Sequence, residues 1–142
     1  MRSTTILCVD DDASIRELYR SILGSFGWHV LLAENGNGAL KLHHSNRHSI
    51  CAVILDYQMP GMNGVELAAR LKQFDPNLPV VLISGSHDLD DKPEAVDLAL
   101  PKGLPIEKLL MELDFLIRRA GDVNAAKSRD RHAEISSAVA TV

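Results

Sequence analysis

The sequence predicts an α/β fold: a doubly wound parallel sheet of five strands with helices on both faces. Three observations carry that expectation. Short apolar, β-rich runs alternate with helical apolar stripes. The connections between them are short. The run Ile50-Cys51-Ala52-Val53-Ile54-Leu55 is apolar throughout, as a strand covered on both faces requires.

Thr4 to Val9 reads as the first strand and stops at Asp10-Asp11-Asp12. Asp12 or Ser14 can cap the helix that follows. Ile15, Leu18, Ile22 and Phe26 form its apolar stripe, flanked by Tyr19 and Leu23, with Arg16, Glu17 and Arg20 outside. Gly24 and Gly27 end it. Trp28 to Ala33 reads as the second strand, and Glu34 to Gly38 as a turn. A short helix follows over Ala39 to Ser45, and Ile50 to Leu55 is the third strand. Asn63 can cap the next helix, with Leu67, Leu71 and Phe74 as its inner face, and Asp75-Pro76-Asn77 stops it. Pro79 to Ile83 is the fourth strand, ending at Ser84-Gly85-Ser86. Pro93 can open a one- or two-turn helix through Asp97. Leu98 to Leu100 is a fifth strand, ending at Pro101-Lys102-Gly103. Pro105 suits a first helical position, and Ile106, Leu109, Leu110, Leu113, Leu116 and Ile117 give the clearest helical stripe in the chain. Arg118 and Arg119 complement the dipole at its end, and Gly121 closes it. The reading is one domain over 4–120 and a flexible tail over 121–142.

Composition narrows the function class. The 142 residues carry a net charge of −4, so there is no broad basic footprint for nucleic acid. No apolar run approaches the roughly 20 residues of a membrane helix, and no signal segment opens the chain, so a cytoplasmic protein is expected. The two cysteines, Cys8 and Cys51, lie inside strand-like runs and read as buried thiols. His43, His44 and His48 lack co-ligands at zinc spacing and read as solvated side chains near a helix end.

In an open α/β sheet, chemistry collects beyond the carboxyl ends of the strands. Here the first strand ends in Asp10 and Asp11, the third in Asp56, the fourth in Ser84 and the fifth in Lys102. Each has an ordinary explanation alone; four together point to a site. Clustered carboxylates repel and need protonation or a cation. A hard divalent ion such as Mg²⁺ answers through carboxylates and a phosphate oxygen. A carboxylate can attack phosphorus and form an acyl phosphate. Lys102 and Ser84 could then bond or neutralise the phosphoryl oxygens.

These residues carry a resemblance. Ile6-Leu7-Cys8-Val9-Asp10-Asp11, the segment from Leu55 to Gly64 (Leu-Asp-Tyr-Gln-Met-Pro-Gly-Met-Asn-Gly), Val80-Val81-Leu82-Ile83-Ser84-Gly85 and Lys102 stand in order. The chain resembles a response-regulator receiver domain of two-component signalling, of the stand-alone type, over about Thr4 to Arg119. The resemblance implies a flavodoxin-like sheet of order 2-1-3-4-5. It implies that Asp56 accepts a phosphoryl group from a sensor histidine kinase or a histidine phosphotransfer protein. It implies Mg²⁺ (or Mn²⁺) held by Asp10, Asp11, Asp56 and the backbone carbonyl of Gln58. Lys102 would contact the phosphoryl oxygens and Ser84 would turn toward them. Gln58 and Ser86 match positions that tune self-dephosphorylation. The implied protein is a signalling switch, not an enzyme in the ordinary sense. Its output goes to a downstream protein, with weak homodimerisation possible, and involves neither nucleic acid nor membrane.

Three departures accompany the resemblance. Ala99 replaces the aromatic residue usual three positions before the lysine. Gly103 replaces the proline usual after it, normally joined by a cis bond; before a non-proline residue that bond costs about 2.5–4 kcal/mol, so another path is expected. The stretch from Ser84 to Lys102 is short, so the helix between the fourth and fifth strands is expected to be shortened or missing. These departures support an alternative reading, a degenerate receiver that acts as a phosphorylation-independent interaction module. An aspartate-nucleophile phosphatase is disfavoured because Gln58 stands where a second acid is needed.

Overall fold

The structure is a computed structural model that describes residues 4–85 and 92–121. Its elements run β1 (Thr5–Val9), α1 (Ala13–Ser25), β2 (His29–Ala33), α2 (Gly36–Ser45), β3 (Ile50–Asp56), α3 (Gly64–Phe74), β4 (Val80–Ser84) and β5 (Leu98–Pro101). A last helix, α4, spans 106–121. The five strands pair in parallel in the order β2-β1-β3-β4-β5. This is the doubly wound arrangement expected from the sequence.

Strand periodicity sorts the core into two layers. Leu7 and Val9, Val53 and Leu55, and Val80 and Leu82 face one way and pack against Ala39 of α2 and Leu67, Ala68 and Leu71 of α3. Ile6 and Cys8, Ala52 and Ile54, and Val81 face the other way, against Tyr19 and Leu23 of α1 and Leu109 and Leu113 of α4. Each fully buried leucine contributes about 2 kcal/mol. Cys8 is buried and Cys51 half-buried, and both are free thiols. Burial pushes the Cys51 thiol up to about 11 and Cys8 higher still.

Several boundaries differ from the sequence reading. The buried row of α1 is Tyr19 and Leu23, with Ile15 half-buried, while Leu18 and Phe26 are 50% and 65% exposed. One i, i+4, i+8 row meets the sheet, and the rest of the broad apolar face lies at its rim. Phe74 likewise is 53% exposed rather than part of the inner face of α3, whose buried residues are Gly64, Leu67, Ala68 and Leu71. Helix α2 starts three residues earlier than expected, because Asn35 caps it by accepting from Gly38 N at 2.8 Å. β2 starts at His29, not Trp28, since Trp28 N donates back to Leu23 O. β4 begins at Val80 rather than Pro79. The expected short helix from Pro93 to Asp97 is a single turn, closed by Val96 N donating to Pro93 O at 3.0 Å. Among the described residues between β4 and β5 there is no helix. The tail beyond 121 lies outside the described residues.

Candidate functional site

Parallel register assembles the site at the carboxyl edge of the sheet. Val9 pairs with Leu55, so Asp10 falls beside Asp56. Asp56 pairs with Ile83, which puts Ser84 one residue beyond it. Ser84 pairs with Pro101, which puts Lys102 at the same edge. Residues distant in sequence thus share one crevice because three strand pairings are in step.

Asp10, Asp11 and Asp56 each offer an oxygen, and these atoms all lie within 4.8 Å of one another. Asp10 and Asp56 are buried and Asp11 is exposed. Burial pushes the Asp10 carboxyl up; the Asp12 N–H opposes this and the Asp56 and Asp11 charges add to it. Lys102 Nζ lies 3.3 Å from Asp56 Oδ1. That contact is an ion pair without hydrogen-bond alignment, and Asp56 Oδ1 has no hydrogen-bond partner among the described residues. Among the described residues, the half-exposed Lys102 ammonium and the Arg16 guanidinium on the Asp10 carbonyl stand against three carboxylates, which still leaves a negative excess. An orphaned buried oxygen, three convergent carboxylates and no soft donor fit a hard divalent cation.

The surroundings hold these carboxylates in place. Asp12 N donates to Asp10 Oδ1 at 2.9 Å, and Asp10 N donates to Ala33 O at 3.1 Å. Asp12 caps α1, accepting from Ser14 N at 2.8 Å. Arg16 Nη1 donates to Asp10 O at 2.7 Å. Asn63 caps α3, accepting from Glu66 N at 2.9 Å. Gly64 sits against the strand it follows: a Cβ there would lie 2.4 Å from Asp56 O and 2.7 Å from Leu82 Cδ1. Its N–H donates to Tyr57 O at 3.0 Å, closing the loop after Asp56. A Cβ on Gly36 would meet Met62 Sδ at 2.7 Å, so that loop also packs on the start of α2.

The structure therefore brings Asp10, Asp11, Asp56, Ser84 and Lys102 to one edge. Ser84 is buried, and its carbonyl accepts from Lys102 N at 2.8 Å. Gln58 is exposed and, with Asp11, Tyr57 and Asn63, lines a cavity of about 420 Å³. Ser86 lies outside the described residues. No cis peptide occurs among the described residues, and Gly103 turns the chain after Lys102 with φ +85°. Ala99 is half-buried beside Leu82.

Two residues behave differently from the sequence reading. Arg16, read as part of the outer polar face, reaches back to the Asp10 carbonyl. A basic residue in the first turn after a run of acids was the available signal. His43, read as solvated, is 2% exposed. It falls on the inner side of α2, one turn after Ala39, and the helical face decides its burial.

Comparison with known proteins agrees with this geometry. The family model for the response regulator receiver domain matches residues 6–110. Response regulator MprA of Mycobacterium bovis is 33% identical over 130 residues, covering 89% of this chain and 56% of the relative. MprA of Mycolicibacterium vanbaalenii is 35% identical over 118 residues, covering 80% of this chain and 50% of the relative. The chain thus spans about half the length of these curated relatives. A receiver domain protein from Clostridium thermocellum superposes with a TM-score of 0.80 at 27% identity, over 84% of this chain and 98% of the other. Response regulator TrrA of Thermotoga maritima, solved in complex with Mg²⁺–BeF, gives 0.73 at 33% identity, over 82% and 99%. On sequence, sheet order and the residues at the sheet edge alike, this chain belongs to the response-regulator receiver domain family.

Proposed function

We propose that Asp56 is the phosphoacceptor of a two-component switch, charged by a sensor histidine kinase or a histidine phosphotransfer protein. One observation carries the reading. Asp56 is a buried carboxylate with an oxygen lacking a hydrogen-bond partner, flanked by two more carboxylates and by the Lys102 ammonium at 3.3 Å.

In the proposed step an Asp56 oxygen forms a bond to phosphorus. The phosphorus–nitrogen bond of a phosphohistidine breaks, and its electron pair stays on the imidazole, which takes up a proton. Lys102 moves from the carboxylate to a phosphoryl oxygen, and Ser84 donates its hydroxyl to another. Asp10, Asp11 and Asp56, with the Gln58 carbonyl, would hold Mg²⁺ (or Mn²⁺), which when bound would offset charge on the phosphoryl oxygens. Arg16 and the Asp12 N–H orient Asp10. Gln58, exposed beside the acids, and the position of Ser86 are the ones proposed to tune self-dephosphorylation. The receiver unit is 4–120, the segment 121–142 is an appended tail, and output runs through protein contacts. The TrrA complex with Mg²⁺–BeF supports this reading, since that chain shares 33% identity with this one.

Incubation with Mg²⁺ and a small acyl phosphate tests it by intact mass. The expected result is one phosphoryl group on the wild type and none on Asp56→Asn. No gain in mass, or the same gain in both, would favour a phosphorylation-independent interaction module instead.

A further inference from the structure

A cavity of about 660 Å³ opens between the C-terminal ends of α2 and α3. Both helices run against the strands, so it lies at the edge of the sheet opposite Asp56. Its volume is that of a small-molecule site, on the order of 300–1,000 Å³. Leu40 and the exposed ring of Phe74 give it an apolar wall. Lys41, Arg47 and Arg70 line it as well, and no carboxylate does among the described residues. Three permanent cations without an acid are a marked local excess in a chain of net charge −4.

The helix ends account for Arg47, which donates to the last carbonyl of α3, but not for Lys41 or Arg70. Lys41 stands in the middle of α2 and Arg70 in the middle of α3, away from the last turns where a cation gains. Arg47 bonds the Phe74 carbonyl, which ties the two helix ends across the cavity. This uses one of five guanidinium N–H donors. The wall includes His43, 2% exposed, whose Nε2 has no hydrogen-bond partner among the described residues. Asp75 Oδ2 lies 3.9 Å from it.

We infer that this cavity binds a small organic anion with an apolar body. The body lies on Leu40 and Phe74. The anionic head lies among Lys41, Arg47 and Arg70, where charge-assisted hydrogen bonds reward a carboxylate or sulfonate. The site is separate from Asp56, and its failure would leave the phosphoacceptor reading untouched.

Titration of the isotopically labelled full chain with phenylbutyrate, followed by amide shifts, tests the inference. Phenylbutanol serves as the neutral counterpart. The expected result is saturable shifts confined to 40–47 and 70–74, with the alcohol at least about tenfold weaker. The exposed changes Lys41→Glu and Arg70→Glu together should weaken the acid about tenfold or more while leaving the melting temperature unchanged. Phe74→Ala, also at an exposed position, should weaken both probes. The inference is overturned by an absence of saturable shifts, by equal binding of acid and alcohol, or by charge reversal without effect. It is also overturned if only an acidic peptide binds, which would make the face a protein contact.

Discussion

The two halves of the sheet are built to different standards. On the β1–β3 side, Asp10 and the backbone around Asp56 are held from more than one direction. Asp10 is fixed through its own N–H, its side chain and its carbonyl. Asp56 ends a strand that is buried except at Cys51 and has Gly64 pressed on its carbonyl. On the β4–β5 side the support is thinner. β5 has four residues and its first two are half-buried. Lys102 is 51% exposed and reaches Asp56 by an ion pair alone. No helix covers this side among the described residues between the two strands. Under the proposed function, rigid geometry around Asp56 would orient a nucleophile. The side carrying Ser84 and Lys102 would then have to change on phosphorylation, and loosely supported elements change at low cost.

Perturbing each half should therefore give unequal effects. Asp56→Asn has the largest expected effect, complete loss of phosphoryl uptake by intact mass with the fold retained by circular dichroism. Gly64→Val should come next. Its side chain meets backbone and Leu82, and overpacking of this kind costs about 3 kcal/mol. Urea unfolding would measure the loss, and a cost below about 1 kcal/mol would show that the close approach is soft. On the other side, Gly103→Ala should cost only about 1 kcal/mol, because φ +85° penalises a Cβ that meets nothing within 4 Å. A matching urea series that gave a larger loss than Gly64→Val would reverse the comparison.

The smallest effect is expected from pH. Burial holds the His43 pKa below its ordinary value, with Asp75 opposing. The unfolded chain then binds the proton more readily. Stability contributed by the neutral imidazole is present above about pH 6.5 and is lost as pH falls toward the folded value. Thermal melts should show a mild decline on that acid side, and His43→Leu should remove it without weakening the protein at neutral pH. A slope unchanged in the variant would assign the decline to other groups.

Much of this was legible in the chain itself. The alternation of apolar runs with helical stripes dictated five strands and their partner helices, because burial on a parallel sheet leaves a periodic trace. The strand-end positions of Asp10, Asp11, Asp56, Ser84 and Lys102 were legible for the same reason: a polar group that ends an apolar run marks the edge of a sheet. The short connection between β4 and β5 was visible as a missing stripe.

Other features depended on packing. Periodicity marks a broad apolar face on α1, but only contact with the sheet selected Tyr19 and Leu23 over Leu18 and Phe26. His43 is polar, so no hydrophobic pattern could bury it; its place on the inner row of α2 did. Arg16 shows no periodic signal for a backbone partner six residues back. Fold class and the residues at the strand ends can be read from the chain alone, because both follow from local periodicity. How far apart those residues lie, which oxygen of Asp56 has no hydrogen-bond partner among the described residues, and where the cations of α2 and α3 meet come only from the folded chain. Those depend on strand register and helix rotation, which nonlocal packing sets.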